Sequence, residues 1–276
     1  MKGFRSALRE NKLLIGVVLT MELISFFVWR YGNGGLSDFG LNFFTEILGV
    51  FVTVLIIDYL VEQREKRKLI PVRLAIYHDA QRFFIRFYSF WVEAYRISVP
   101  DKAPPTIERF FSDEGIGKVF HNLWLDSQPN VTPPRDWWTW IGQHREELTE
   151  KGHKFLERHV IYADPILYKA IHAFCEGTFM TTLPLMNSIR QSDAQFGSKR
   201  LHILGNCAPR PQTEDYENML QVYYWLRNNF DVLKRHESRI FKVSYEAITD
   251  ENRVLTCRVP DAVVLEYFQE QQKRKS

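Results

Sequence analysis

The side chains that most invite chemistry are acids placed inside apolar runs. Glu22 interrupts Leu13 to Trp29 (LLIGVVLTMELISFFVW), and Glu46 and Asp58 lie inside Leu41 to Val61 (LNFFTEILGVFVTVLIIDYLV). A charged carboxylate is costly in hydrocarbon, so an acid within a membrane span is by default a functional residue. It serves either as a proton or cation site or, when neutral, as a hydrogen-bonding group between helices. Beside these acids, Thr45, Gly49 and Thr53 recur at every fourth position. Small residues at that spacing line one helix face and let two backbones approach closely. Other residue pairs offer little. His172 and Cys175 sit one helical turn apart, as two metal ligands would, but no second close pair accompanies them. A core histidine beside a buried cysteine is therefore expected, and no metal site is assigned. His144, His153 and His159 share a helix but are not expected to share a face. Gly115-Ile-Gly117-Lys118 lacks the glycine spacing and the following Ser or Thr of a phosphate loop and reads as a turn. Gly-x-Ser-x-Gly, Cys-x-x-Cys, His-Glu-x-x-His and dinucleotide fingerprints are all missing from the sequence. No catalytic residue and no cofactor is assigned, and the chain is not expected to be an enzyme.

The acids need spans to hold them. The runs 13–29 and 41–61 are close to the ~20 residues that cross a hydrocarbon core. Lys2, Arg5, Arg9 and Lys12 precede the first run, and Arg64, Lys66, Arg67, Lys68 and Arg73 follow the second. The loop between them, 30–40, holds one Arg and one Asp. Basic residues stay on the cytoplasmic side, so both termini are expected inside and the Gly-rich loop outside. A basic start and an apolar run also describe a signal peptide, but no small-x-small cleavage site follows Trp29. At ~1.5 Å per residue Glu22 and Glu46 fall within a few ångströms of the same depth. A peripheral helical hairpin is the alternative to two spans. Arg64, Lys66, Arg67 and Lys68 form a collar suited to anionic lipid head groups. No aromatic stacking pattern sits among these charges, so nucleic acid is not an expected partner.

Beyond the collar, Pro71 is expected to interrupt the helix, and Val72 to Ser98 reads as a long helix apolar on most of its girth. Such a helix belongs at the centre of a bundle or against a membrane, and central packing is preferred. Within it, Arg73 and His78 resemble the Arg-x4-His motif of HEPN-type ribonucleases, in which a helical domain pairs two such motifs across a dimer. The resemblance covers six residues, and Leu74 stands where that family usually has a polar residue. It implies a membrane-tethered nuclease as a remote alternative function.

The remainder predicts short helices within 106–126 and a Pro-rich loop over 126–136. A helix capped by Asp136 follows, opening on Trp137, Trp138 and Trp140, which are expected to pack. Asp164-Pro165 starts a helix to Glu176. Thr178 to Gln191 reads as one further helix, Ser192 to Gln212 as an irregular loop, and Thr213 opens the last long helix. Residues 252–258 suit either a strand or an irregular tail, and Asp261 starts a final helix. Three widely separated cysteines, Cys175, Cys207 and Cys257, imply no disulfide framework and fit reduced thiols. A net charge of +3, with 45% hydrophobic and 14% aromatic residues, fits a folded domain rich in large buried rings rather than a polyanion binder.

The expected fold is all-α: an amino-terminal two-span transmembrane helical hairpin followed by a cytoplasmic helical bundle. The stretches are 1–61 for the hairpin, 62–98 for the collar and aromatic helix, and 99–276 for the rest of the domain. The expected location is the cell membrane. The expected function is a membrane-anchored, homo-oligomeric binding, scaffold or sensor module whose cytoplasmic domain takes a protein or small effector. An oligomeric channel or membrane-perturbing effector using Glu22 and Glu46 is the alternative.

Overall fold

A computed structural model describes residues 12–198, 200–245 and 254–275. Among them every regular element is a helix; the only β pairing is two isolated antiparallel bridges, Leu123 with Arg258 and Trp124 with Ile203. The described residues divide between Pro71 and Val72 into two units.

The first unit is a helical hairpin. Helix α1 (Lys12–Tyr31) has 20 residues, or about 30 Å of helix, close to the thickness of a bilayer's hydrocarbon core. A short turn follows, with Gly34 at φ 55°, a left-handed backbone that glycine adopts without penalty. Helix α2 (Gly35–Ser98) then starts hard against the end of α1. A Cβ on buried Gly40 would lie 2.5 Å from the Trp29 amide nitrogen, so only glycine permits this approach. Ser37 Oγ donates to the Trp29 carbonyl at 2.8 Å and closes the turn. By length and composition α2 is able to cross a membrane.

Pro71 does not end α2, which runs through it for 64 residues. Proline in a helix interior removes one amide donor and crowds the carbonyl four residues back, at a cost of about 3 kcal/mol. That carbonyl belongs to Arg67, and both residues are exposed, so solvent can serve it. The unit boundary nevertheless falls at this proline.

In the second unit the stretch of α2 from Val72 is the central helix, as its all-round apolar pattern predicts. Phe83, Phe84, Phe87, Trp91 and Tyr95 are each 0–3% exposed. The later helices are α3 (Ile107–Phe110), α4 (Ile116–Asn122), α5 (Trp137–His159), α6 (Pro165–Glu176), α7 (Thr178–Thr182), α8 (Leu185–Phe196), α9 (Leu204–Cys207), α10 (Thr213–Lys234) and α11 (Asp261–Lys275), and rings from several of them meet the central helix. Phe87 meets Phe174 of α6 edge-on at 4.9 Å, Phe84 meets Tyr223 of α10 at 5.6 Å, and Trp91 stacks on Phe120 of α4 at 5.6 Å. Each buried ring of this size contributes about 1.5–3 kcal/mol, so this layer dominates the core.

Local signals explain most helix ends. Asp136 accepts from the Thr139 amide and Asp164 from the Ile166 amide, and each opens its helix. Gln212 and Asp215 form a reciprocal capping box at the start of α10. Trp137 and Trp138 are fully buried, as expected of a packed helix end. Three readings are corrected. The segment 178–191 is not one helix, because Pro184 separates α7 from α8. The loop expected over 192–212 is shortened by the end of α8 and by α9. Gly115 to Lys118 is not a free turn but the start of α4, and a Cβ on Gly115 would collide with the Phe110 carbonyl oxygen. Of the tail 252–258, residues 252 and 253 lie outside the described residues; Arg258 makes the bridge to Leu123.

Candidate functional site

The contact of Gly40 with Val28 and Trp29 fixes the register of the hairpin. Six or seven residues further along each antiparallel helix, or about 9 Å, it brings Glu46 level with Glu22. The same register pairs Val50 with Val18, and those two side chains line one cavity of about 300 Å³ together with Glu46, Phe43 and Ile47. The two acids differ in environment. Glu22 is 9% exposed, and neither carboxylate oxygen has a hydrogen-bond partner. Glu46 is exposed, and so is Asp58. Glu22 therefore faces into the hairpin while Glu46 reaches its surface.

The stripe of small residues also faces outward. Thr45, Gly49 and Thr53 are exposed and floor a shallow groove of about 460 Å³ with Glu46, Val50 and Val54. Every wall of that groove comes from α2. A Cβ on Gly49 would meet nothing within 4 Å, in contrast to Gly40. The hydroxyls of the stripe are already used: Thr45 donates to Asn42 O at 2.9 Å and Thr53 to Gly49 O at 2.8 Å. What remains is a smooth surface for van der Waals contact. In the collar, Arg64, Arg67 and Lys68 are exposed, and Lys68 pairs with Glu65 at 3.2 Å, a contact worth little in water. The side chain of Lys66 lies outside the described residues.

Arg73 and His78 both sit in the continuous helix α2. Five positions apart, they project about 140° from one another, so one copy of the chain does not converge them. Arg73 is exposed and lines a recess in which His78 takes no part. The pair His172 and Cys175 is also split. Cys175 is 3% exposed, but His172 faces solvent beside Tyr168, which corrects the core reading of that histidine. His144 and His159 in turn share the buried face of α5, because fifteen residues bring the helix back to within about 60°. His159 Nε2 lies 2.9 Å from Asp79.

One charged cluster was not visible in the sequence. His202 Nδ1 lies 2.8 Å from Asp126, His202 Nε2 lies 3.5 Å from Asp193, and Arg200 Nε lies 3.1 Å from Asp193. Asp126 also accepts from the Trp138 indole at 3.1 Å. The group joins loops about 70 residues apart that both read as irregular, and no local pattern announces such pairing. His202 Nδ1 is engaged by Asp126 and ties the two loops together, while Nε2 is buried near Asp193 without forming a hydrogen bond. The nearby Cys207 thiol is pushed up to about 11 by burial, so it supplies no thiolate. Burial likewise holds the Cys175 thiol up at about 12. Among the described residues no group of three His, Cys, Asp or Glu side chains is placed to hold a metal ion.

A wider recess of about 590 Å³ opens at the start of α10 beside Asp113, Arg210, Thr213 and Tyr216. Burial raises the Tyr216 hydroxyl well above the usual phenol range, and its oxygen is without a hydrogen-bond partner. Tyr216→Phe is therefore expected to leave thermal stability unchanged or to raise it by about 1 kcal/mol, read from a melting curve. Comparison with known proteins adds no relative: no protein family, curated protein or solved structure matches the chain.

Proposed function

We propose that the chain is a membrane-anchored module that self-associates through α2 and presents its helical domain on the cytoplasmic face of the cell membrane. In this reading α1 and α2 both span the bilayer, the turn near Gly34 lies outside, and the basic residues after Val61 rest among anionic head groups. The observation that carries self-association is Gly49. Within one copy no neighbour requires a glycine there, yet it floors an outward groove flanked by two threonines whose hydroxyls are already bonded. The occupant proposed for that groove is the same face of a second copy. The helical domain would bind a protein or small effector, with the recess at the start of α10 as the candidate effector site.

The mass of the full-length chain in mild detergent tests this. The expected result is an oligomer that Gly49→Ile shifts towards monomer by at least about tenfold in dissociation constant, since each 1.4 kcal/mol is a factor of ten. Gly16→Ile, at another glycine where a Cβ meets nothing, should leave assembly unchanged. A wild-type chain that is monomeric at every concentration sinks the proposal.

A second reading rests on Glu22, a buried carboxylate with neither oxygen bonded. Level with Glu46 in each copy, it would give an oligomer a ring of acids able to pass protons or cations. Planar-bilayer conductance that is lost in both Glu22→Gln and Glu46→Gln supports it. Silence from well-assembled wild-type oligomers ends it.

A further inference from the structure

One end of the helical domain carries apolar side chains that its packing does not use. Val160, Ile161, Tyr162 and Ile166 lie in and just after the connection from α5 to α6, and they are 59%, 78%, 55% and 60% exposed. Val232 on α10, also 55% exposed, lines one recess with Tyr162, Asn229 and Arg73. That recess holds about 210 Å³, and Ile76, Asp164, Trp225 and Leu233 complete its walls. Asp164 is committed elsewhere, because its Oδ1 accepts the Ile166 amide at 2.9 Å. Arg73 is exposed and has no ion-pair partner among the described residues. Clustered exposed apolar side chains beside an unpaired cation mark a contact surface rather than ordinary surface scatter.

The chain itself indicates what that surface meets. Arg73 follows Val61 by only twelve residues of the same helix, about 18 Å. The basic collar lies between them. Aliphatic side chains with a tyrosine at the rim and an arginine alongside match the chemistry of the bilayer interface, where aromatic rings sit at head-group level and guanidinium groups pair with phosphate.

We propose that this end of the helical domain is a second, non-spanning membrane contact: Ile161 and its neighbours enter the head-group layer, and Arg73 pairs with phospholipid phosphate. The proposal rests on the reading of α2 as a membrane span.

Site-directed labelling of the full-length chain tests this, because Cys175, Cys207 and Cys257 are all buried and should stay unlabelled. An environment-sensitive fluorophore is placed at Ile161→Cys, Phe196→Cys or Val54→Cys. The protein is reconstituted in phosphatidylcholine–phosphatidylglycerol vesicles containing a nitroxide lipid. Phe196 is the control, an apolar side chain 73% exposed at the end of α8. Asp193 on α8 reaches Trp138 through His202 and Asp126, which puts Phe196 near the start of α5. Ile161 follows the other end of that helix, about 34 Å away. The expected result is quenching at position 161 at least about threefold stronger than at 196, reduced towards the 196 level by Arg73→Glu. Equal quenching at 161 and 196 overturns the proposal, and so does quenching at 161 that ignores Arg73→Glu. Shielding at 161 that is insensitive to the lipid quencher and fades as the chain is diluted in lipid assigns the patch to a second copy and also overturns it. Absence of quenching at Val54 indicts the span reading instead.

Discussion

Gly152→Ala is expected to destabilise the helical domain by about 2 kcal/mol, while Gly142→Ala, ten residues earlier in the same helix, stabilises it by about 1 kcal/mol. On helix propensity alone both changes should help, since alanine is favoured over glycine by about 1 kcal/mol in a helix interior. Gly142 has nothing within 4 Å of a built Cβ, so propensity decides there. At Gly152 the same Cβ would collide with Cys175 Sγ on α6 and lie 3.2 Å from Phe83 Cε2 on α2. Cys175 and Phe83 are 3% and 1% exposed, so neither has free space into which to move. Overpacking of this kind costs about 3 kcal/mol at the upper end of its usual range and outweighs the propensity gain. The decisive measurement is a double-mutant cycle on denaturant midpoints followed by tryptophan fluorescence. Cys175→Ala alone leaves a small void and loses about 1 kcal/mol. In the double variant the methyl group added at position 152 enters the space left by the sulfur, so a favourable coupling of about 2 kcal/mol is expected. Simple additivity, or a Gly152→Ala variant as stable as wild type, would remove the three-helix contact as the reason for this glycine.

That glycine also shows where reading the sequence stops. Helix starts were legible because their causes are local: Asp136, Asp164 and Thr213 each stand within three residues of the amides they serve or precede. The central place of 72–98 was legible because aromatic side chains around most of a helix leave no face for water. Pro71 misled, since its penalty is of a size that an otherwise long helix with an exposed proline tolerates. His172 misled for a different reason. Periodicity places Ile171, Phe174 and Cys175 on the buried face, and His172 falls one step beyond it.

Long-range pairing had no local trace at all. Gln81 donates to the Phe241 carbonyl at 2.7 Å, and His202 joins Asp126 to Asp193, across separations that no spacing rule reaches. In the hairpin, the four-residue spacing of Thr45, Gly49 and Thr53 identified a smooth face. Only the structure separates it from the face that packs on α1, where Gly40 makes the close approach. The presence of acids in both apolar runs was equally plain in the sequence, but their difference was not. Glu22 on α1 is enclosed within the hairpin, whereas Glu46 on α2 is left open at its surface.

His144 sets the largest expected dependence on pH. It lies on the buried face of α5, 5% exposed, with its ring stacked on Phe90 at 4.0 Å and 13°, and neither ring nitrogen has a hydrogen-bond partner. Burial, reinforced by the charges of Arg86 and Lys151, pushes it down from 6.5 to about 3. The folded chain therefore keeps this imidazole neutral in a range where the unfolded chain has already taken up a proton. Stability is fully present above about pH 6.5 and falls as the pH drops towards 3, at about 1.4 kcal/mol per pH unit. Between pH 7.5 and 5, before most carboxylates titrate, the loss traced to this one residue is about 2 kcal/mol. His144→Leu removes the titrating group and the two unpartnered nitrogens while keeping an apolar side chain against Phe90. The variant should match or exceed wild type by about 1 kcal/mol at pH 7.5, because an unpaired buried polar group is itself a cost. Its advantage should widen by about 2 kcal/mol at pH 5. The quantity to follow is the difference in unfolding free energy between the two proteins across that range, so that everything the two proteins share cancels. Parallel pH profiles would mean that His144 reaches solvent or a partner in the folded chain. A widening gap would mean that the centre of this domain holds a histidine whose protonation opposes the fold.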